Sequence, residues 1–160
     1  MIRLATADDI DAITLIYNDA ILHTTATFDT DLKSRDEMLQ WFNKHNEKYC
    51  VMIMEQDGKT AGWASLSQYS DRCAYDNTCE FSIYIHPDFR RKGLSKPLMK
   101  AVLEQGKKQG IHVVLSRITE GNEISVRLHE YFDFFMVGTM KEVGVKFDRL
   151  LDVDLMQKIL

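Results

Sequence analysis

Hydrophobic and polar positions along the chain change period several times, and each change predicts an element. Ile2 to Leu4 reads as a short strand. From Asp8 to Leu22, the residues Ile10, Ile13, Ile16, Tyr17, Ala20 and Ile21 fall on one helical face, behind a Thr6 and Asp9 pair that resembles a capping box. After the polar stretch His23 to Asp29 the helical period returns. Ser34 and Glu37 cap this second helix, and Met38, Leu39, Trp41 and Phe42 form its apolar face. Tyr49 to Glu55 and Thr60 to Gln68 are strand-like runs joined at Asp57-Gly58, which predicts a hairpin. With a third run, Thr78 to Ile85, they predict an antiparallel meander.

His86-Pro87 ends that run, because proline lacks the N–H that a ladder needs and pushes the preceding residue out of helical geometry. Leu94, Leu98, Ala101, Val102 and Gln105 then mark a helix that closes near Gly110, where glycine tolerates a left-handed C-terminal turn. Val113 to Ile118 reads as a short buried strand and Glu123 to Tyr131 as a helix. Phe135 to Val143 and Leu150 to Met156 read as two final strands. The order β-αα-βββ-α-β-α-ββ predicts a single α/β (α+β) domain over residues 1–160. Its sheet is mixed, mostly antiparallel and twisted, with helices on both faces and one right-handed parallel crossover around residues 80 to 118.

Composition narrows the function classes. Hydrophobic residues at 45% and charged residues at 28% exclude a disordered or fibrous chain. The net charge is -4 and the basic residues are dispersed except for Arg90-Arg91-Lys92, so the broad cationic face of a nucleic-acid binder is absent. That one cluster points to a local anion. Cys50, Cys73 and Cys79 are odd in number and have no C-x-x-C spacing, which argues against a disulfide framework and a zinc site. Reduced thiols and an untargeted start predict a cytoplasmic protein, and no apolar run approaches the roughly 18 residues that span a bilayer.

Chemistry concentrates between Ile83 and Leu98. A strand runs into a basic loop containing Gly93, and the loop runs into a helix with Pro97 in its first turn. Such a helix start leaves backbone N–H groups unpaired at the positive end of the macrodipole, which suits a pyrophosphate. Neither G-x-x-x-x-G-K-[ST] nor G-x-G-x-x-G is present, so a nucleotide P-loop and a dinucleotide fingerprint are both disfavoured. Glu80, between Cys79 and Phe81, is either a solvent-facing strand residue or a carboxylate held at a raised pKa for proton transfer.

Arg90-x-x-Gly93-x-Ser95 resembles the R/Q-x-x-G-x-G/A loop with which GNAT acetyltransferases hold the diphosphate of acetyl-CoA. Thr25-Ala26-Thr27-Phe28, Gly62-Trp63-Ala64-Ser65-Leu66-Ser67, Thr78-x-Glu80, Asn122 with Ser125 and Leu128-His129-Glu130, and Val143-Gly144-x-Lys146-Phe147-Asp148-Arg149 look like the phosphinothricin and methionine sulfoximine acetyltransferase branch. The resemblance covers nearly the whole chain. It implies an acetyl-CoA-dependent N-acetyltransferase in which the α-amine of a small amino acid analogue attacks the thioester directly, and it implies a homodimer. A protein N-terminal acetyltransferase and a non-catalytic acyl-CoA sensor are the alternatives on the same scaffold.

Residue by residue, the resemblance implies that Arg90, Arg91, Lys92, Gly93, Leu94, Ser95 and Lys96 hold the diphosphate. The backbone of Ile83, Tyr84 and Ile85 pairs with the pantetheine arm, with Asn122 and Ser125 beside it. Asn122 fits equally as an N-cap. Glu80 is implied as general base. His129 stands where many of these enzymes carry a tyrosine that protonates the departing thiolate, and it also reads as a packing residue. Phe28, Arg72, Tyr75 and Thr78 are implied at the acceptor, with Arg72 gripping its carboxylate. Two positions depart from the pattern: Ser95 replaces the last loop glycine, and Asp133 replaces the glycine of a leucine-glycine-phenylalanine turn.

Overall fold

In the computed structural model, which describes residues 1–160, the chain runs β1 (Ile2–Leu4), α1 (Ile10–His23), α2 (Arg35–Phe42), β2 (Val51–Gln56), β3 (Lys59–Gln68) and β4 (Thr78–Ile85). It continues α3 (Ser95–Lys108), β5 (Val113–Thr119), α4 (Glu123–Tyr131), β6 (Phe135–Lys146) and β7 (Arg149–Ile159). This is the predicted order. The first helix differs at its start: a 3-10 turn, Ala7–Asp9, precedes α1. There the Asp9 carboxylate accepts from the Thr6 N–H at 2.7 Å and from Arg3 at 2.8 Å, which holds the chain short of α-geometry. At α2 the capping box forms as expected, Ser34 Oγ accepting from the Glu37 N–H and Glu37 accepting from the Ser34 N–H. The last two strands are longer than predicted. Register shifts between Met136 and Gly138 and between Met140 and Gly144 break the alternation that would have shown β6 as one strand.

The sheet order is β1-β2-β3-β4-β5-β7-β6, antiparallel throughout except for β4 beside β5. Alternation along β3 and β4 sends side chains to two separate cores. Ala64, Leu66, Cys79 and Phe81 join Leu98, Met99 and Val102 of α3 and Leu128 of α4 on one face. On the other, Trp63 packs with Ile10, Ile13 and Ile16 of α1 and Met38 of α2. No helix is long and apolar enough to cross a membrane.

One irregularity positions the site. β4 pairs with β5 only over Thr78, Cys79 and Glu80, opposite Val113, Val114 and Leu115. Beyond them β5 stays with β7 as far as Thr119, while β4 stays with β3 as far as Ile85. Residues 81–85 thus have a strand on one side and an open notch on the other.

Candidate active site

The notch is lined by Phe81, Ser82, Ile83 and Tyr84 from β4, by Ser116 to Thr119 from β5, and by Asn122, Ser125 and His129 from α4. Main-chain groups on the open side of a strand need partners, and an extended ligand carrying amides supplies them in the manner of an added strand. The notch continues into a cavity of about 520 Å³ walled by Ile83, Ile85, Phe89, Arg90, Arg91, Gly93, Leu94, Ser95, Asn122, Ser125 and Leu128. Gly93 has φ +75°, a conformation that other residues adopt at a cost, and Arg91 also turns left-handed at φ +62°. These two reversals bring the loop round to the start of α3, where Leu94 and Ser95 wall the cavity and the first-turn amides lack helical partners. Shape, cations and helix start together fit a long anionic thioester such as acetyl-CoA.

Individual side chains refine that picture. Arg90 is engaged, its guanidinium 2.5 Å from Asp19 of α1 and 3.2 Å from the Ile85 carbonyl oxygen. Lys92 and Lys96 do not line the cavity: their ammonium groups lie 4.9 Å from the Phe89 ring centroid and 3.7 Å from that of Tyr131. Cation–π attraction holds both aside, so Arg90 and Arg91 are the cations of this wall. Asn122 caps α4 through its Oδ1, which accepts from the Ser125 N–H, and its NH₂ stays free to face the notch. The Tyr84 side chain turns away from that cavity to the opposite face of the sheet, where its ring packs on Trp63.

That opposite face holds a second cavity, about 270 Å³, lined by Tyr17, Trp41, Trp63 and Tyr84, by Ser65, Ser67 and Ser82, and by Met38, Asp29, Lys33 and Glu37. Its roof is the loop between α1 and α2. Asp29 accepts from the Tyr17 hydroxyl at 2.7 Å, and burial raises the Tyr17 pKa above its ordinary value, so the phenol stays a donor. The loop is strapped down twice. Thr119 Oγ1 donates to the Thr25 carbonyl at 2.6 Å, and the buried Lys146 ammonium donates to the Thr27 carbonyl at 2.8 Å. Desolvation lowers the Lys146 pKa. Phe28 does not line the cavity; it packs on Gly144, where an added Cβ would come within 2.1 Å of the ring.

Glu80 lies on the face of this second cavity, opposite Ser67 in the β3–β4 register. It is not the lone carboxylate in apolar surroundings that its neighbours suggested. Arg117 Nη1 sits 2.5 Å and 2.6 Å from its two oxygens. Sequence reading missed Arg117, because the contact exists only through the β4–β5 pairing that sets Glu80 against Leu115, two residues short of Arg117. Arg72, Tyr75 and Thr78, expected at the acceptor, do not line this second cavity. Tyr75 packs edge-on against Tyr69, and Arg72 is an exposed side chain in the loop that feeds β4.

His129 is 1% exposed and packs between the rings of Phe81 and Phe134. Its Nδ1 lies 2.7 Å from the Ser125 carbonyl oxygen, which only accepts, so Nδ1 carries the proton. Nε2 is buried without a partner, and desolvation lowers the pKa. A neutral ring with a bare Nε2 lone pair accepts hydrogen bonds, whereas the expected thiolate-protonating role needs a proton on that atom.

Residues 14–134 match the acetyltransferase (GNAT) family model. The chain belongs to the GNAT acetyltransferase family. The L-methionine sulfoximine/L-methionine sulfone acetyltransferase of Salmonella typhimurium is 36% identical, over 98% of this chain and 92% of its own. The phosphinothricin N-acetyltransferase of Streptomyces coelicolor is 30% identical, over 95% of this chain and 91% of its own. Among solved structures, yncA from Salmonella typhimurium with its cofactor acetyl-CoA superposes with TM-score 0.96 at 35% identity, covering 100% of this chain and 93% of that one. A ribosomal-protein-alanine N-acetyltransferase from Brucella melitensis superposes equally well, TM-score 0.96 at 34% identity, covering 100% and 99%. This GNAT protein is therefore an acetyl-CoA-dependent N-acetyltransferase, with acetyl-CoA as co-substrate.

Proposed function

We propose that this acetyltransferase acetylates the α-amine of a small amino acid analogue of the methionine sulfoximine or phosphinothricin type. The observation that carries the reading is the 270 Å³ cavity beside Glu80, sized for a small molecule and mixing aromatic walls with three serine hydroxyls. Glu80 takes a proton from the acceptor ammonium, directly or through water, and Arg117 fixes the carboxylate's orientation. The neutral amine then attacks the thioester carbonyl across the notch, the C–S bond breaks as the amide forms, and CoA leaves as a thiolate that takes up the proton lost by the attacking nitrogen, directly or through water. Ile83, Tyr84 and Ile85 offer main-chain groups to the pantetheine arm, with Asn122, Ser125 and the His129 Nε2 lone pair as further polar contacts. Arg90, Arg91, Gly93, Leu94 and Ser95 face the diphosphate. Arg72, exposed on the loop leading into β4, is the candidate for the acceptor's carboxylate.

The likeness to a ribosomal-protein-alanine N-acetyltransferase supports a second reading, in which the amine is a protein N-terminus. CoA release measured across amino acids, sulfoximines and peptides separates the two. Turnover confined to peptides would overturn the first. We also propose a homodimer in the cytoplasm. β6 is an edge strand that exposes Phe135, Val137, Val143 and Val145, an apolar edge that proteins cover by pairing, and the three cysteines are free. Sedimentation at micromolar concentration tests the dimer.

A further inference from the structure

The acceptor cavity holds a polar element that Glu80 does not engage. Ser67 lines the cavity from β3, and its register partner is Glu80. Directly opposed residues of an antiparallel pair hold their Cβ atoms about 4.5–5.5 Å apart, so one small group can touch both. Ser67 Oγ lies 2.9 Å from His45 Nε2, and His45 Nδ1 lies 2.9 Å from the Trp41 carbonyl oxygen. The carbonyl only accepts, so Nδ1 carries the imidazole proton and neutral Nε2 is a lone pair. Ser67 must then donate its single hydroxyl proton to His45, which leaves the oxygen lone pairs for the cavity. An ammonium group has three donors and no acceptor, and is the complement of that arrangement.

We propose that Ser67 binds the acceptor's amine group and that His45, through its hydrogen bond, is the positioning residue that keeps the Ser67 hydroxyl turned as an acceptor. The inference rests on the acetyltransferase reading of this cavity and adds the seat of the amine to it. Ser67 and Glu80 hold the nitrogen from adjacent strands, and the lone pair that attacks the thioester is the one freed when one N–H proton passes to Glu80. The polarity is conditional on the imidazole. Protonated His45 becomes a donor at Nε2, Ser67 accepts from it, and the hydroxyl proton swings toward the cavity, where it opposes an ammonium.

The surroundings keep His45 neutral. Burial lowers its pKa, and the Lys44 charge beside it acts in the same direction, against the carbonyls of Trp41 and Phe42. Glu47 shares the small pocket on the outer side of the ring. On the cavity side stand Glu80, tied to Arg117, and the rim groups Asp29, Lys33 and Glu37. Tyr17 and Tyr84 stay protonated, their pKa values raised by burial.

The test measures steady-state kinetics with an amine that the wild-type enzyme acetylates. Ser67→Ala is expected to raise the KM for the amine about tenfold, the loss of one hydrogen bond to a charged group, and to leave the KM for acetyl-CoA unmoved. Ser67→Thr restores the amine KM. His45→Gln, which cannot titrate, raises the amine KM and makes the acid limb of kcat/KM for the amine shallower, the remainder being the limb that general-base removal of the amine proton imposes. A tautomer measurement on the wild-type protein covers the case in which that variant does not fold: imidazole ¹⁵N shifts at neutral pH are expected to report Nδ1–H with a bare Nε2. Unchanged amine KM in Ser67→Ala, or an Nε2–H tautomer, overturns the inference and leaves the proposed function standing. A wild-type protein that releases CoA with no amine overturns both.

Discussion

The two sides of the open strand pair are built from different material. On the proposed cofactor side the wall offers main-chain groups, from the free edge of β4, the left-handed turn through Arg91 and Gly93 and the start of α3, beside apolar side chains such as Ile83, Ile85 and Leu128. On the acceptor side the wall is side chains from α1, the α1–α2 loop, α2, β3 and β4. Main-chain donors and acceptors suit what every acetyl-CoA shares, amides and phosphates. A side-chain wall recognises what differs between amines, and it changes with single substitutions.

The largest expected effect breaks the acceptor side alone. Glu80→Gln removes the proposed proton acceptor and is expected to lower kcat about a hundredfold near neutral pH, with partial recovery at high pH where more amine is already neutral. Calorimetry with acetyl-CoA is expected to show unchanged binding. A matching loss of cofactor affinity would mean that the two sides are one unit.

Charge reversal on the other wall is the converse experiment. Arg91→Glu is expected to weaken acetyl-CoA binding roughly tenfold to a hundredfold and to flatten its salt dependence, since a screened cation is lost. The amine KM at saturating acetyl-CoA stays put. An unmoved dissociation constant would place the diphosphate elsewhere.

Arg72→Ala sharpens the acceptor side. Loss of a charge-assisted pair costs about 1.5–3 kcal/mol in kcat/KM on carboxylated amines, and a decarboxylated analogue is spared. Arg72 lies outside the cavity lining, so an equal loss on both amines would hand the carboxylate to Lys33, which lines it.

The smallest effect comes from one buried imidazole on each side. Burial holds His45 and His129 below the ordinary histidine value of 6.5. The unfolded chain therefore binds more protons than the folded one below that pH, and stability falls as the pH drops from about 6.5 until the folded groups titrate. Thermal melts at pH 7.5 and 5.5 are expected to differ by a few degrees. His45→Gln and His129→Gln, each expected to remove part of the difference, divide it between the sides.

Most elements were legible from local pattern. Hydrophobic period marked Thr78–Ile85 and Glu123–Tyr131 to the residue, and Ser34 with Glu37 marked the start of α2. These signals lie within a few residues of one another. The loop proposed for the cofactor was legible for the same reason, as a strand, a turn and a helix start in one continuous segment. Lys92 and Lys96 were the exception, because the rings that draw them aside are set by packing.

The sequence alone determined the family, the order of elements, the strand-loop-helix segment proposed for the diphosphate and Glu80 as a carboxylate in a strand. Only the tertiary structure decided what surrounds that carboxylate. Arg117 reaches Glu80 across 37 positions, His45 reaches Ser67 across 22, and Lys146 reaches Thr27 across 119. No periodicity spans such distances, because these contacts follow from strand register and from the loop folded over the sheet. The physical reason is the same in each case: a hydrogen bond depends on a few ångströms in space, and separation along the chain places no limit on it.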